Sequence, residues 1–234
     1  NPDLWKTANA VFSRENEKAG WKIESSVPER WTISFGGINF WIKPTSFKHT
    51  GLFPEQLSNW QWLSGMIKKA KRPISVLNLF GYTGGASIIS AQAGADVCHV
   101  DGSKTSVTWA RENAEASQLS EAPIRWIVDD ARAFVRREIK RGNKYDVIIM
   151  DPPAFGRGPN GETWNIENDF IDLLDICRQI LSDQPLAILI NGYASGYSAT
   201  AYKNNLSDMM SGFSGEVSVG ELNIETKDNQ RLLP

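Results

Sequence analysis

Between residues 74 and 190, strand-length apolar runs alternate with helix-length segments, and this alternation limits the fold more than any other feature of the chain. Strands are expected at 74–79, 96–100, 124–128, 145–150 and 186–190. Helices are expected at 55–71, 84–93, 104–117, 131–141, 166–182 and 198–212. Runs such as Val147-Ile148-Ile149-Met150 are apolar without alternation, as strands covered on both faces must be. Parallel neighbours need crossovers, which intervening helices supply, so the pattern predicts an α/β, doubly wound, mostly parallel sheet. Two later candidates, 215–219 and 221–226, bring the expected count to a seven-stranded sheet.

The chain divides at the start of this pattern. Residues 1–53 form an aromatic-rich N-terminal region, and 54–234 carry the alternation; six of the nine tryptophans fall before residue 63. Trp31–Phe35 and Ile38–Ile42 flank Gly36-Gly37, a two-residue hairpin signal. The tryptophans are expected to pack this hairpin on the sheet, a stacking platform for a nucleic-acid base being the sharper alternative.

Chemistry concentrates where strands end, since ligands of open α/β sheets bind beyond the carboxyl ends of the strands. The strand at 145–150 runs into Asp151-Pro152-Pro153-Ala154-Phe155. Neither proline can donate a backbone N–H, so the ladder stops and the Asp151 and Pro152 carbonyls are free to accept. An amino group held there, with Phe155 against its ring, suits methyl transfer to an exocyclic amine or base. The strand at 74–79, which includes Asn78, runs into Phe80-Gly81-Tyr82-Thr83-Gly84-Gly85 and a helix. Such a turn lets a ligand approach the backbone before a helix N-terminus. Its spacing differs from the dinucleotide G-x-G-x-x-G, and no Gly-Lys-Ser/Thr follows. Asp101, about twenty residues on, is placed to accept from a ribose diol. Asp129 and Asp130, at the end of 124–128, are placed to accept from an adenine amino group or to cap the next helix. Together the strand ends fit an adenosine-bearing cofactor.

From about Trp31 onward the chain resembles the class I S-adenosylmethionine-dependent methyltransferases, whose fold is Rossmann-like. Within them it is similar to the family of the bacterial large-subunit rRNA cytosine and guanine methyltransferases. The matching segments are His49-Thr50-Gly51-Leu52-Phe53-Pro54-Glu55-Gln56, Asn78 to Gly85, Asp101-Gly102-Ser103, Ala110-Arg111-Glu112-Asn113 and Asp151 to Phe155. The resemblance implies S-adenosyl-L-methionine as cofactor. Thr50, Gly51, Phe53 and the glycine turn (Asn78, Phe80, Gly81, Thr83, Gly84) would surround its methionine part. Asp101, with Ser103 beside it, would hold the ribose, Asp130 with Asp129 the adenine, and Asp151 would border the methyl group. The catalytic set is then Asp151, Pro152 and Phe155, and the substrate a nucleobase in RNA.

One departure stands out. Carbon-5 methylation of cytosine needs a cysteine nucleophile, carried in that family after the fifth strand. Here the segment reads Asn191-Gly192-Tyr193-Ala194-Ser195, with alanine near that place. Cys98 and Cys177 lie in a strand and a helix and are expected to be small buried residues. Transfer without a cysteine nucleophile is therefore expected.

Charge and composition bound the partners. Net charge is −2 with pI about 5.8, and the basic runs 68–72 and 136–141 lie near expected helix ends, where cations complement the dipole. Autonomous nucleic-acid binding would show a more basic face, so the RNA partner rests on the resemblance. A methyltransferase for proteins or small molecules and a nucleotide- or dinucleotide-binding oxidoreductase domain are the rivals. Two cysteines, His49 and His99 far apart, and no long apolar run predict a reducing, cytoplasmic setting, no metal and no membrane span. The opening residues Asn1 to Trp5 show no signal pattern, as a trimmed or disordered head would.

Overall fold

The computed structural model describes residues 2–15, 18–46, 48–193, 196–225 and 232–233. The chain opens with α1 (Pro2–Lys6), the antiparallel pair β1 (Ala10–Glu15) and β2 (Lys18–Ile23), and the hairpin β3 (Trp31–Phe35) and β4 (Ile38–Ile42). A 3-10 turn at Pro54–Gln56 leads into α2 (Leu57–Lys69), and the alternation follows: β5 (Ser75–Leu79), α3 (Gly85–Gln92), β6 (Asp96–Asp101), α4 (Lys104–Ala116) and β7 (Ile124–Val128). Next come α5 (Ala131–Arg141), β8 (Val147–Met150), the short pair β9 (Phe155–Arg157) and β10 (Thr163–Asn165), α6 (Ile166–Arg178), β11 (Ala187–Ile190) and α7 (Ala199–Met209).

The central sheet has five parallel strands in the order β11-β8-β5-β6-β7. From β5 the chain winds one way through β6 and β7, then reverses through β8 and β11. The carboxyl ends of β5 and β8 therefore flank the switch point, where a crevice must open. Alternate residues face opposite layers. Val76, Val97, Val147 and Ile149 meet Leu63 and Ile67 of α2 and Ala91 of α3. Leu77, Leu79, Val100, Ile148 and Met150 meet Phe134 of α5 and Phe170 and Leu173 of α6. Each such fully buried side chain contributes roughly 1.5–3 kcal/mol.

Among the described residues the central sheet has five strands, so the expected count of seven is not confirmed. Residues 215–219 form no strand, and a two-residue β12 (Ile224–Glu225) pairs antiparallel with β13 (Leu232–Leu233), apart from the central sheet. That stretch has little apolar surface to bury: Val219 is 50% exposed, and Gly215 (φ +154°) breaks extended backbone before it. Thr226, at the end of the second expected strand, lies outside the described residues. The opening also differs from expectation, since Pro2–Lys6 is helical.

Gly36 (φ +61°) and Gly37 (φ +86°) make the turn of the β3–β4 hairpin, both in the left-handed region a two-residue loop of this kind requires. The hairpin lies on α4, whose Asn113 Oδ1 and Ser117 Oγ accept from the N–H groups of Trp41 (2.8 Å) and Asn39 (2.9 Å). Trp60 of α2 is buried against Phe40, ring centroids 5.6 Å apart and nearly parallel, so this tryptophan packs the hairpin. The amide of Asn113 also reaches the glycine turn, donating to the Thr83 carbonyl at 2.9 Å. One side chain of the Ala110–Asn113 segment thus joins the hairpin to the ligand end of β5.

Candidate active site

A cavity of about 520 Å³ opens at the switch point, within the range of small-molecule sites. Its lining includes twelve of the residues expected from the sequence: Gly51, Phe53, Asn78, Phe80, Gly81, Thr83, Asp101, Ser103, Asp129, Asp130, Asp151 and Pro152. Thr50, Gly84 and Phe155 stand outside that lining.

The glycine turn is held in a conformation that ordinary residues avoid. Phe80 (φ +56°) and Tyr82 (φ +46°) are both left-handed, a strain that clusters at ligand sites. The turn persists because its N–H groups are aimed and bonded. Gly81 donates to the Val100 carbonyl at 3.1 Å and Tyr82 to Asp101 Oδ2 at 2.9 Å. Gly81 has no room for a side chain, since a Cβ would lie 2.4 Å from the buried His99 ring. His99 meets Ser87 Oγ at 3.0 Å through Nδ1, and burial pushes its pKa down to about 3, so the ring is neutral. Gly84, at φ +86°, is the N-cap of α3 and accepts no side-chain cap. Among the described residues the first N–H groups of α3 therefore meet no side-chain cap, and Gly85 and Ala86 face the cavity. Thr83 Oγ1 donates to the Gly51 carbonyl at 2.8 Å, which ties the 49–56 segment to the turn. Thr50 itself only accepts from Lys43 through its backbone.

Asp101 is the best-defined acid. Its Oδ1 accepts from Ser103 N at 2.8 Å and its Oδ2 from Tyr82 N at 2.9 Å. These bonds fix the carboxylate while leaving a lone pair on each oxygen for the cavity. Burial raises its pKa, and the two N–H groups oppose that rise. The adjacent acids differ in duty. Asp130 caps α5, accepting from Ala133 N at 2.9 Å. Asp129 accepts from Asp130 N at 3.0 Å and pairs with Arg137. Of the two readings made for this pair from the sequence, the cap belongs to Asp130, and both acids line the cavity.

Asp151 follows β8 directly and closes the opposite side. Burial of its carboxyl, with the Glu55 charge adding to it, pushes its pKa up to about 7. Phe155 is displaced from the expected position. It is 74% exposed on β9, beside a shallow groove with Thr163, Asn165 and Asn168, while the next residue, Gly156, faces the cavity. Alternation along the strand sends residue 155 outward. The glycine-rich segment 157–164 belongs to the β9–β10 hairpin, which lies over the Asp101 side. The Arg157 carbonyl sits 3.0 Å from where a Cβ on Gly102 would be.

Sequence reasoning missed a polar chain on the Asp151 side. The Tyr193 hydroxyl donates to Glu55 Oε1 at 2.9 Å and accepts from Gln56 Nε2 at 2.9 Å. Asn59 Nδ2 donates to Gln56 Oε1 at 2.9 Å and to Asn191 Oδ1 at 2.8 Å. The available signal was positional: Asn191 and Tyr193 leave β11 as Asp151 leaves β8, and Glu55 to Asn59 open α2. Trp164, the aromatic that ends the 157–164 segment, is buried, and its indole packs on Phe80 at 5.0 Å between centroids. Cys98 and Cys177 are buried, and burial raises both thiols, Cys98 to about 11. Ala194, near the place of the absent cysteine, lies outside the described residues.

Among the described residues no cluster of three His, Cys, Asp or Glu could hold a metal ion, and no helix is long and apolar enough to cross a membrane. The basic run at 136–141 does more than end a helix. Arg136 pairs with Asp172, Arg137 with Asp129 and Arg141 with Glu138.

Known proteins are similar to this chain in sequence and fold. The chain is 32% identical over 165 residues to the ribosomal RNA large subunit methyltransferase K/L of Alteromonas mediterranea, covering 70% of this chain and 22% of that protein. The protein of the same name from Hahella chejuensis is 33% identical over 171 residues, 72% of this chain and again 22% of the relative. The chain thus spans about a fifth of the length of these relatives. Among solved structures, the SAM-dependent methyltransferase from Agrobacterium tumefaciens superposes with a TM-score of 0.93 at 41% identity, over 100% of this chain and 76% of the other. SMU.776, a putative methyltransferase complexed with SAH, gives a TM-score of 0.71 at 25% identity, over 84% of this chain and 50% of the other. The family model that describes S-adenosylmethionine-dependent methyltransferases matches residues 12–210, the span that builds every wall of the cavity, and the chain belongs to that family.

Proposed function

We propose that the chain methylates a nucleobase in RNA, with S-adenosylmethionine as donor and no cysteine nucleophile. The observation that carries this reading is the placement of two unlike carboxyls on one cavity at the switch point, Asp101 bonded to the glycine turn and Asp151 pushed up toward neutrality. The relatives named above as ribosomal RNA large subunit methyltransferases point to RNA.

The residues fit the cofactor. The free lone pairs of Asp101 suit the two ribose hydroxyls, and Asp130 and Asp129 suit the adenine amino group. The uncapped start of α3 suits the amino-acid carboxylate, which its dipole favours. When bound, S-adenosylmethionine supplies a methyl group on a positively charged sulfur. Asp151 and the Pro152 carbonyl orient the acceptor nitrogen, and the Asp151 carboxylate takes the proton that nitrogen sheds. Rate enhancement then comes mainly from alignment and from exclusion of water. Phe155 stacks on a base at the cavity rim. Residues 1–53 act as an aromatic-rich support for a catalytic region at 54–234, and the substrate makes the cytoplasm the place of action.

The test is transfer of tritiated methyl from the cofactor into separated RNA, DNA and protein fractions. Label in RNA, above all ribosomal RNA lacking its modifications, is the expected result. Label confined to protein or small molecules overturns the RNA reading and favours the rival that the acidic net charge would suit.

A further inference from the structure

The polar chain beside Asp151 has a direction, and its direction decides what the cavity offers to a substrate. It begins at Glu55, a carboxylate that can only accept. The Tyr193 hydroxyl therefore donates its single proton to Glu55 and must accept from its other neighbour, which makes that neighbour the Gln56 amino group. With its nitrogen so assigned, Gln56 turns its oxygen toward Asn59, and Asn59 must answer with its amino group. The same Asn59 nitrogen meets Asn191, so Asn191 presents its oxygen to Asn59. The Asn191 amino group is left over. Amide orientations are normally assigned from partners, and here one carboxylate assigns three amides in succession.

Asn191 is only 8% exposed and lines the cavity on the same side as Asp151. Among the described residues its Nδ2 has no hydrogen-bond partner, while its backbone N–H is used by the Met150 carbonyl at 2.9 Å. Only His99 Nε2 and Tyr202 Oη are sealed without a partner among the described residues, so the Asn191 amino group opens onto the cavity and is a donor available to whatever enters.

We infer that Asn191 is a specificity-determining residue, whose amino group donates to a carbonyl oxygen or unprotonated ring nitrogen next to the methylated atom, and that Glu55 sets its orientation through Tyr193, Gln56 and Asn59. The acceptor side then pairs one fixed donor, Asn191, with one acidic acceptor, Asp151. A substrate edge carrying a hydrogen-bond acceptor beside a nitrogen matches both. A simple alkylamine or a lysine side chain offers nothing to Asn191. A site with a fixed polar group discriminates strongly, because the wrong ligand leaves that group unpaired. Asn191 touches the substrate; Glu55, outside the cavity lining, is a positioning residue.

This inference rests on the RNA-base reading, and the experiment separates the two. Wild type and the variants Asn191→Asp, Asn191→Ala and Glu55→Gln are given unmodified, in-vitro-transcribed large-subunit rRNA, and each is titrated with S-adenosylhomocysteine. Asn191→Asp keeps the shape and the bond from Asn59 but turns a donor toward the substrate into an acceptor. Asn191→Ala removes the donor without adding charge. Both are expected to lower kcat/KM about 10- to 100-fold with affinity for S-adenosylhomocysteine within about threefold of wild type. In Glu55→Gln the new amide can donate to Tyr193, so the chain no longer has a forced direction, and a loss of about three- to tenfold is expected from a residue that touches no ligand. Wild-type turnover in both Asn191 variants overturns the specificity role. Wild-type turnover in Glu55→Gln alone overturns the claim that Glu55 sets the orientation. A wild-type enzyme that labels no RNA overturns the underlying reading instead.

Discussion

The Trp164 indole N–H donates to the Pro153 carbonyl at 2.6 Å, which binds the β9–β10 hairpin to the turn leaving β8. The bond occupies the Pro153 carbonyl, while among the described residues nothing donates to the Asp151 or Pro152 carbonyl. Trp164 also rests on Phe80 of the glycine turn, and Arg132 lies over its ring at 5.7 Å. One side chain therefore spaces the two strand exits between which transfer must occur. Trp164→Phe keeps an aromatic ring and removes the donor. Losing this bond at the exposed Pro153 should cost about 0.5–1.5 kcal/mol of stability. Turnover should fall about tenfold with cofactor affinity within threefold, because alignment is what is lost. Chemical denaturation and single-turnover kinetics on the same variant check both. A loss of stability with unchanged single-turnover rate would leave Trp164 a packing residue only.

Asp101→Ala should weaken cofactor binding at least about tenfold. Hydrogen bonds to a charged group are worth roughly 1.5–3 kcal/mol each, and the change also frees the Tyr82 N–H that holds the left-handed turn. Calorimetric titration with S-adenosylhomocysteine is the measurement, and unchanged affinity would remove Asp101 from the site.

The raised pKa of Asp151 makes a signed prediction. A carboxyl near pKa 7 when folded and near 4 when unfolded keeps its proton longer in the native state. The folded protein is then penalised above pH 4, by an amount that grows to its full value near pH 7 and stays constant beyond. Asp151→Asn removes that penalty. It should raise stability by up to a few kcal/mol at pH 8 and leave it unchanged near pH 3.5. The same substitution should slow transfer severely, and wild-type kcat/KM should rise with pH through about 7 as the base form appears. Urea unfolding at the two pH values, with a pH–rate profile, tests both halves. Equal stability gains at pH 3.5 and pH 8 would assign the effect to packing rather than to charge.

Neither cysteine should matter for chemistry. Cys98 faces the core beside Leu77 and Leu79, Cys177 is fully buried on α6, and both thiols are held protonated by burial. The double replacement by alanine should cost stability, since two buried groups are trimmed, and keep kcat within about twofold where it remains folded. A covalent adduct trapped with a fluorinated cytosine substrate would overturn this.

The alternation of apolar runs sufficed to foresee the five central strands and the helices between them, because β5, β6 and β8 are buried on both faces and need near-continuous apolar segments, while the edge strands β7 and β11 keep strand-length apolar runs of their own. It misled at 215–219, where Val217 and Val219 alternate like a strand but Val219 is half exposed and no strand forms, while the later candidate holds only the short β12 among the described residues. Residues next to strand exits were equally legible, since a strand end in such a sheet faces the crevice whatever the side chain. Asn191 and Gln56 were not. Their importance comes from partners more than a hundred residues away in sequence, and an amide carries no local signal of which way it points. Phe155 was expected in the turn but opens β9, and its direction depends on the pairing of β9 with β10, which three-residue strands do not advertise.

That outward direction makes Phe155 the cleanest remaining test of where the substrate lies. A phenylalanine 74% exposed contributes little to the core, so Phe155→Ala should leave thermal stability and cofactor affinity nearly unchanged. Exposed aromatics beside a cavity suit base stacking, worth roughly 1–3 kcal/mol per base. Apparent affinity for unmodified large-subunit rRNA should therefore drop about 5- to 150-fold, as a rise in KM with kcat largely kept, because stacking at the rim is felt equally by ground and transition states. Phe155→Trp should retain most of the affinity, and a charged Phe155→Glu should lose more than alanine through repulsion of the phosphates. If Phe155→Ala binds RNA as wild type does, the base enters from the other side of Asp151, past Tyr193 and Phe53, and the groove beside β9 is no part of the substrate path.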